Sequence, residues 1–198
     1  QQEAEEAEKS KSSKTKTWNF KAKNVRDFAF ASSRKFIWDA MAQPINGKNV
    51  MCMSFYGKEA YHLYSKFSTR AVAHTIKTYS DYTIPYPYPV AQSVEASNGM
   101  EYPMITVISA GSSDFELDQV VTHEVGHNWF YGILGSNERD HAWMDEGFTS
   151  YGESVVTQYL KGGTGFALAD EYRGYIALAK GKFEEPMSTH ADHFATNY

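Results

Sequence analysis

The stretch HEVGHNWFYGILGSNERDHAWMDEGF, residues 123–148, sets two histidines four positions apart around a glutamate. A further glutamate, Glu146, follows His127 after eighteen intervening residues. On an α-helix turning about 100° per residue, His123 and His127 point about 40° apart, one above the other. The residues before them predict such a helix. Ser113 and Glu116 stand at capping-box spacing ahead of an apolar run. Leu117, Val120, Val121, Val125 and Trp129 make its buried face, and Gly132 and Gly135 mark its end. Eighteen residues suffice to end this helix, turn and enter a facing one, expected from about Asp145 to Leu160. Phe148, Tyr151, Val155, Val156 and Tyr159 point inward there, and Gly162-Gly163 stops it.

This arrangement suits a metal. Two imidazole nitrogens from successive helical turns can meet one cation at the ~2.0–2.1 Å that zinc requires. Glu124, on the adjoining side of the helix, reaches a metal-bound water without being a ligand, which is the mechanical content of the HExxH pattern. A catalytic zinc takes a third protein ligand and leaves its fourth position to water. Glu146 is placed to be that ligand. Glu153, seven residues on and on nearly the same face, can hydrogen-bond a ligand histidine from behind. HExxH arises by chance, and a single histidine on an apolar helix is usually a core or surface histidine. The helix context, third carboxylate and supporting carboxylate together favour one Zn2+.

The rest of the chain reads as α+β. Residues 1–17 hold no large apolar side chain and are expected to be a polar flexible lead or insertion. Trp18, Phe20 and Ala22 alternate with polar residues, and 18–31 is read as one or two strands. Residues 18–45 are assigned to the end of a preceding β-rich domain and a linker, and 46–198 to the catalytic domain. Residues 46–56 predict a turn and a buried strand. Residues 58–80 predict an amphipathic helix with Ala60, Leu63, Tyr64, Phe67, Ala71 and Ile76 on one face. IPYPYPV is an extended loop. VAQSVEAS and PMITVIS are short strands on either side of the turn signal Asn98-Gly99. Residues 166–180 read as helical and 181–198 as irregular.

Net charge is −5 and no basic stripe exists, which argues against a nucleic-acid partner. No apolar run is long enough to span a membrane. The single cysteine, Cys52, excludes an internal disulfide and reads as buried. His62, His74 and His141 are single, and His190 with His193 flanks Asp192; these read as surface histidines. Compartment, whether secreted, periplasmic or cytoplasmic, and oligomeric state stay open.

HEVGHNWF, eighteen residues, then WMDEGFTSYGE resembles the aminopeptidase N family of gluzincin zinc metallopeptidases. NGMEYP at 98–103 is similar to that family's exopeptidase motif, Gly-x-Met-Glu-Asn, and lies just upstream of the histidine helix as it does there. The resemblance implies a thermolysin-like catalytic domain, a small mixed sheet followed by the HExxH helix and a second ligand helix. It implies zinc on His123, His127 and Glu146, with Glu124 as general base. It further implies that Gly99, Met100 and Glu101 contact the substrate, Glu101 holding its free α-amine. Two departures stand out. Tyr102 replaces the family's asparagine. The family's oxyanion-stabilising tyrosine lies farther past the third ligand than residue 198, so the sequence is expected to be a fragment of the catalytic domain, truncated at its C-terminal side, and weak or inactive by itself. The expected activity is hydrolysis of the N-terminal bond of peptides by a metal-activated water. The alternatives are an endopeptidase, in which Glu101 binds no amine, and a non-catalytic module with structural zinc. A structural site would have no use for Glu124.

Overall fold

The computed structural model describes residues 13–109, 113–161 and 168–195. Four strands form one sheet in the order β1-β2-β3-β4: β1 Ile37–Ile45, β2 Lys48–Tyr56, β3 Val90–Ala96 and β4 Ile105–Ser109. β1 and β2 are an antiparallel hairpin, with Ile45 opposite Lys48 across a two-residue Asn46-Gly47 turn. Both turn residues have positive φ, 46° and 74°, as the tight hairpin turn matching strand twist demands. The boundary expected at residue 45 falls at a hairpin turn, and 37–45 pairs with β2 in the same four-stranded sheet.

The strands expected over 18–31 do not form: residues 13–36 have no strand. Their alternating aromatics find no ladder partner, and Trp18, Phe20, Phe28 and Phe30 stay exposed, with Phe20 stacked on Phe30. The segment is instead tied down at points. Tyr88 Oη donates to the Asn24 carbonyl, and Arg26 donates to the carbonyls of Tyr131 and Ser136 and to the Glu138 carboxylate. Residues 1–12 of the expected polar lead lie outside the described residues.

β3 and β4 run parallel, so Asn98-Gly99 does not close a hairpin. The intervening chain passes along the far side of β4, where Met100 and Val107 form an antiparallel bridge with hydrogen bonds of 2.9 and 2.7 Å. Local turn chemistry yields here to the edge of the sheet.

One sheet face, with Val50, Cys52, Ser54 and Tyr56 from β2, is buried under α1, Tyr61–Tyr82, which a single 3₁₀ turn precedes. The buried stripe of α1 runs through Tyr64, Ser68, Ala71, Val72, Thr75, Ile76 and Tyr79; Phe67, expected on it, is largely outside. Small serines let helix and sheet approach: Ser68 Oγ lies 2.8 Å from Ser54 Oγ and 3.1 Å from Ser93 Oγ. α2, Asp114–Gly126, packs on α1 and β4, and its Ser113 cap accepts from the Glu116 amide as the sequence predicts. A π-type turn, Asn128–Ile133, ends it at a kink at Phe130. A second π-type turn, Trp143–Gly147, leads into α3, Phe148–Lys161, packed against α2. α4, Ala169–Gly181, follows, and the chain is then irregular apart from a short turn at Ala191–His193. The expected stop Gly162-Gly163 and the Tyr159 side chain lie outside the described residues. Phe148 and Tyr151, expected inward, are 42% and 44% exposed and face an apolar hollow shared with Tyr82, Phe130 and Trp143. No helix among the described residues is long and apolar enough to cross a membrane.

Candidate metal centre

α2 presents His123 and His127 on one face, and the π-type turn before α3 brings Glu146 to meet them. The two Nε2 atoms are 3.2 Å apart; Glu146 Oε2 lies 3.1 Å from His123 Nε2 and 3.7 Å from His127 Nε2. A tetrahedral zinc with ligands at ~2.0–2.1 Å has ligand atoms ~3.3 Å apart, so the three separations bracket its edges.

The outward nitrogens are held as a metal site requires. His123 Nδ1 lies 3.2 Å from Glu153 Oε2, the partner the sequence predicts, and Gln119 donates to the other Glu153 oxygen. His127 Nδ1 lies 2.6 Å from Asp145 Oδ1 and 3.2 Å from Thr149 Oγ1. Carboxylates accept only, so these contacts place a proton on each Nδ1 and turn each Nε2 toward Glu146. Two imidazole nitrogens and a carboxylate oxygen converging this closely fit a cation in place of the proton that His123 otherwise shares with Glu146. The N, N, O donor set suits zinc.

The local field agrees. Burial disfavours a charge on His123, but hydrogen bonds to Glu146 and Glu153 outweigh it and raise the imidazole to about 10. Burial likewise opposes charge on His127, and Asp145 overcomes it. The hydrogen bond to His123, outweighing burial, holds Glu146 below the usual carboxylate range. The pocket is built to hold positive charge.

Glu124 lies beside this triad and donates no atom to it. Burial pushes its carboxyl up to about 7, and its Oε2 is buried without a hydrogen-bond partner. A Cβ on Gly99 would collide with its Oε1, so a side chain at this position would displace the Glu124 carboxylate. Glu101 turns its carboxylate to the same place: oxygens of Glu101 and Glu124 and a nitrogen of His127 lie within 4.8 Å of one another. Burial raises Glu101 as well, against the pull of His127. Met100 forms the bridge to β4 described above.

Three contributors were not foreseen. Asp145 was visible as the neighbour of Glu146, but adjacent residues on an α-helix diverge by about 100°. The π-type turn, which winds less per residue, lets both reach the histidines. Thr149 follows on the same side. Asn128 joins the motif segment to the histidine helix: its Oδ1 accepts from the Met104 amide at 3.0 Å and its Nδ2 donates to the Val125 carbonyl. Its position directly after His127, buried and polar, was the available signal.

Known proteins resemble this chain in sequence and in fold. A leucine aminopeptidase 2 of Emericella nidulans is 30% identical over 97 residues, 48% of this chain and 15% of that protein. An aminopeptidase B of Rattus norvegicus is 32% identical over 66 residues, 32% of this chain and 10% of that protein. The chain therefore matches a small part of each relative. Among solved structures, a mutant two-domain M1 zinc metallopeptidase bound to L-tryptophan superposes with a TM-score of 0.62 at 17% identity, over 81% of this chain and 37% of the other. Aminopeptidase A of Legionella pneumophila, in complex with aspartic acid, gives 0.53 at 10% identity, over 63% and 16%. Fold and sequence pattern together define a metallopeptidase catalytic domain of the gluzincin type. The model of the peptidase family M1 domain matches residues 67–180, more than half of the chain, and the chain belongs to that family.

Proposed function

We propose that this chain carries the catalytic centre of a zinc-dependent aminopeptidase acting on peptides with a free N-terminus. His123, His127 and Glu146 hold the metal, Glu124 is the general base and Glu101 binds the substrate ammonium. The observation that carries the reading is the convergence of two histidine Nε2 atoms and a carboxylate oxygen beside an unpartnered, buried Glu124 oxygen. Zinc held there supplies a Lewis acid that polarises the scissile carbonyl and brings the pKa of a bound water toward ~7.

The protein's own residues do the rest. Glu124 takes the proton of the attacking water and hands it to the departing amine nitrogen. Asp145, Thr149 and Glu153 keep the imidazoles in the tautomer that leaves Nε2 free. Glu101, on the bridged segment over Glu124, pairs with the α-ammonium and so registers the first peptide bond on the metal. An interior amide offers no ammonium and leaves that carboxylate unpaired, which selects for N-termini.

The test compares aminoacyl substrates with their N-acetylated forms, on the enzyme with its catalytic domain complete and on its Glu101→Ala variant. Free-amine substrates should turn over and blocked ones should not, and Glu101→Ala should raise KM for the former. Equal cleavage of both forms, unaffected by Glu101→Ala, would establish the endopeptidase alternative.

A further inference from the structure

Directly behind the two ligand helices stands Tyr79, at 1% exposure. Its ring stacks on Trp129 at 4.9 Å and meets Phe130 edge-on at 6.2 Å, contacts a phenylalanine would make equally well. Its hydroxyl is buried and has no hydrogen-bond partner, whereas buried tyrosine hydroxyls ordinarily find one. Hydrogen bonding therefore does not explain it; space does. A Cβ built on Gly126 would lie 2.6 Å from Tyr79 Oη and 3.0 Å from Cζ. One built on Gly152 would lie 2.5 Å from Oη and 2.9 Å from Cε1. Gly126, at the end of α2, and Gly152, inside α3, thus face each other across one phenol tip.

Their positions bear on the metal centre. Gly126 lies between His123 and His127, and Gly152 precedes Glu153. Thr149 Cγ2 sits 3.3 Å from the Gly126 Cβ position, and the same threonine's hydroxyl contacts His127. The distance between α2 and α3 at this point fixes whether Glu153 reaches His123 and Thr149 reaches His127, both at 3.2 Å.

Building on the metal reading above, we propose that Tyr79 is a positioning residue, a steric spacer seated between Gly126 and Gly152 that sets the approach of the two ligand helices and hence the geometry of the metal site. A spacer is exchangeable: volume removed from the phenol can be returned on the glycine. Hydroxyl chemistry is not exchangeable in this way.

The experiment measures zinc affinity by chelator competition, and the visible spectrum of the cobalt-substituted protein, for the wild type, Gly126→Ala, Tyr79→Phe and the double variant. Gly126→Ala should weaken binding by ~10–100-fold and change the spectrum, as displaced supporting contacts do. Tyr79→Phe should cost about threefold or less, and the double variant should return to within about threefold of wild type, on the same scale. Gly152→Ala should be rescued less by Tyr79→Phe, because two ring carbons, at 2.9 and 3.0 Å, remain in the way there against one, at 3.0 Å, beside Gly126. If Gly126→Ala does not fold, recovery of folded, metal-binding protein in the double variant is the supporting result. Losses that add in the double variant, or a double variant no better than Gly126→Ala, would overturn the proposal. A wild type that binds no zinc would instead refute the metal reading beneath it.

Discussion

Removing Asp145 should damage the metal centre more than removing Glu153, although both only support a histidine. The Asp145–His127 contact is 2.6 Å long between side chains that are 4% and 1% exposed. The Glu153–His123 contact is 3.2 Å, between side chains 20% and 21% exposed. A buried hydrogen bond to a charged group contributes about 1.5–3 kcal/mol, and a solvated, longer one about 0.5–1.5 kcal/mol. At about 1.4 kcal/mol per tenfold, Asp145→Ala should weaken zinc binding by ~10–100-fold and Glu153→Ala by ~2–10-fold. Thr149 Oγ1, 3.2 Å from the same nitrogen, can accept in part and keeps the larger figure from rising further. Asp145→Asn retains an acceptor without the charge and should fall between wild type and Asp145→Ala. Competition titration against a chromophoric chelator reads all of these, with circular dichroism confirming the fold. Glu153→Ala losing as much zinc affinity as Asp145→Ala would show that burial does not rank these contacts.

Two other substitutions probe the surroundings. Gly99→Ala places a methyl group into the Glu124 carboxylate; zinc should be retained while kcat falls by ~10²-fold through a displaced base, and unchanged kcat would mean the segment has room to yield. Arg26→Ala removes hydrogen bonds to two carbonyls and a guanidinium lying 4.4 Å over the Tyr131 ring. It should cost about 1–2 kcal/mol in denaturant unfolding, whereas Glu138→Ala, losing only the half-exposed ion pair, should cost under about 1 kcal/mol; equal losses would make the ion pair the main tie.

What the sequence made legible is what one helix or one turn encodes. His123, Glu124 and His127 share a helical register, Ser113 caps it, and Asn46-Gly47 marks a turn; each rests on local signals alone. β1 was missed because IWDAMAQPI alternates poorly and contains Pro44, which only an edge strand tolerates. The parallel pairing of β3 and β4 was hidden by Asn98-Gly99, a local signal that sheet-edge hydrogen bonding overrode. Asp145 and Thr149 depended on a π-type turn that leaves no periodic trace. Tyr79, Gly126 and Gly152 meet only when three helices have packed, and nothing in their separate neighbourhoods announces it.

The central assignment separates metal binding from proton transfer, and paired substitutions at Glu124 and Glu146 test it most directly. Zinc content and turnover of a free-amine aminoacyl substrate are to be measured on Glu124→Gln and Glu146→Gln. Glu124→Gln should keep one zinc per chain and lose turnover, because an amide cannot accept the water's proton. Glu146→Gln should lose zinc and activity together. A Glu124→Gln protein without metal, beside a Glu146→Gln protein that still holds it, would contradict the roles given to both glutamates.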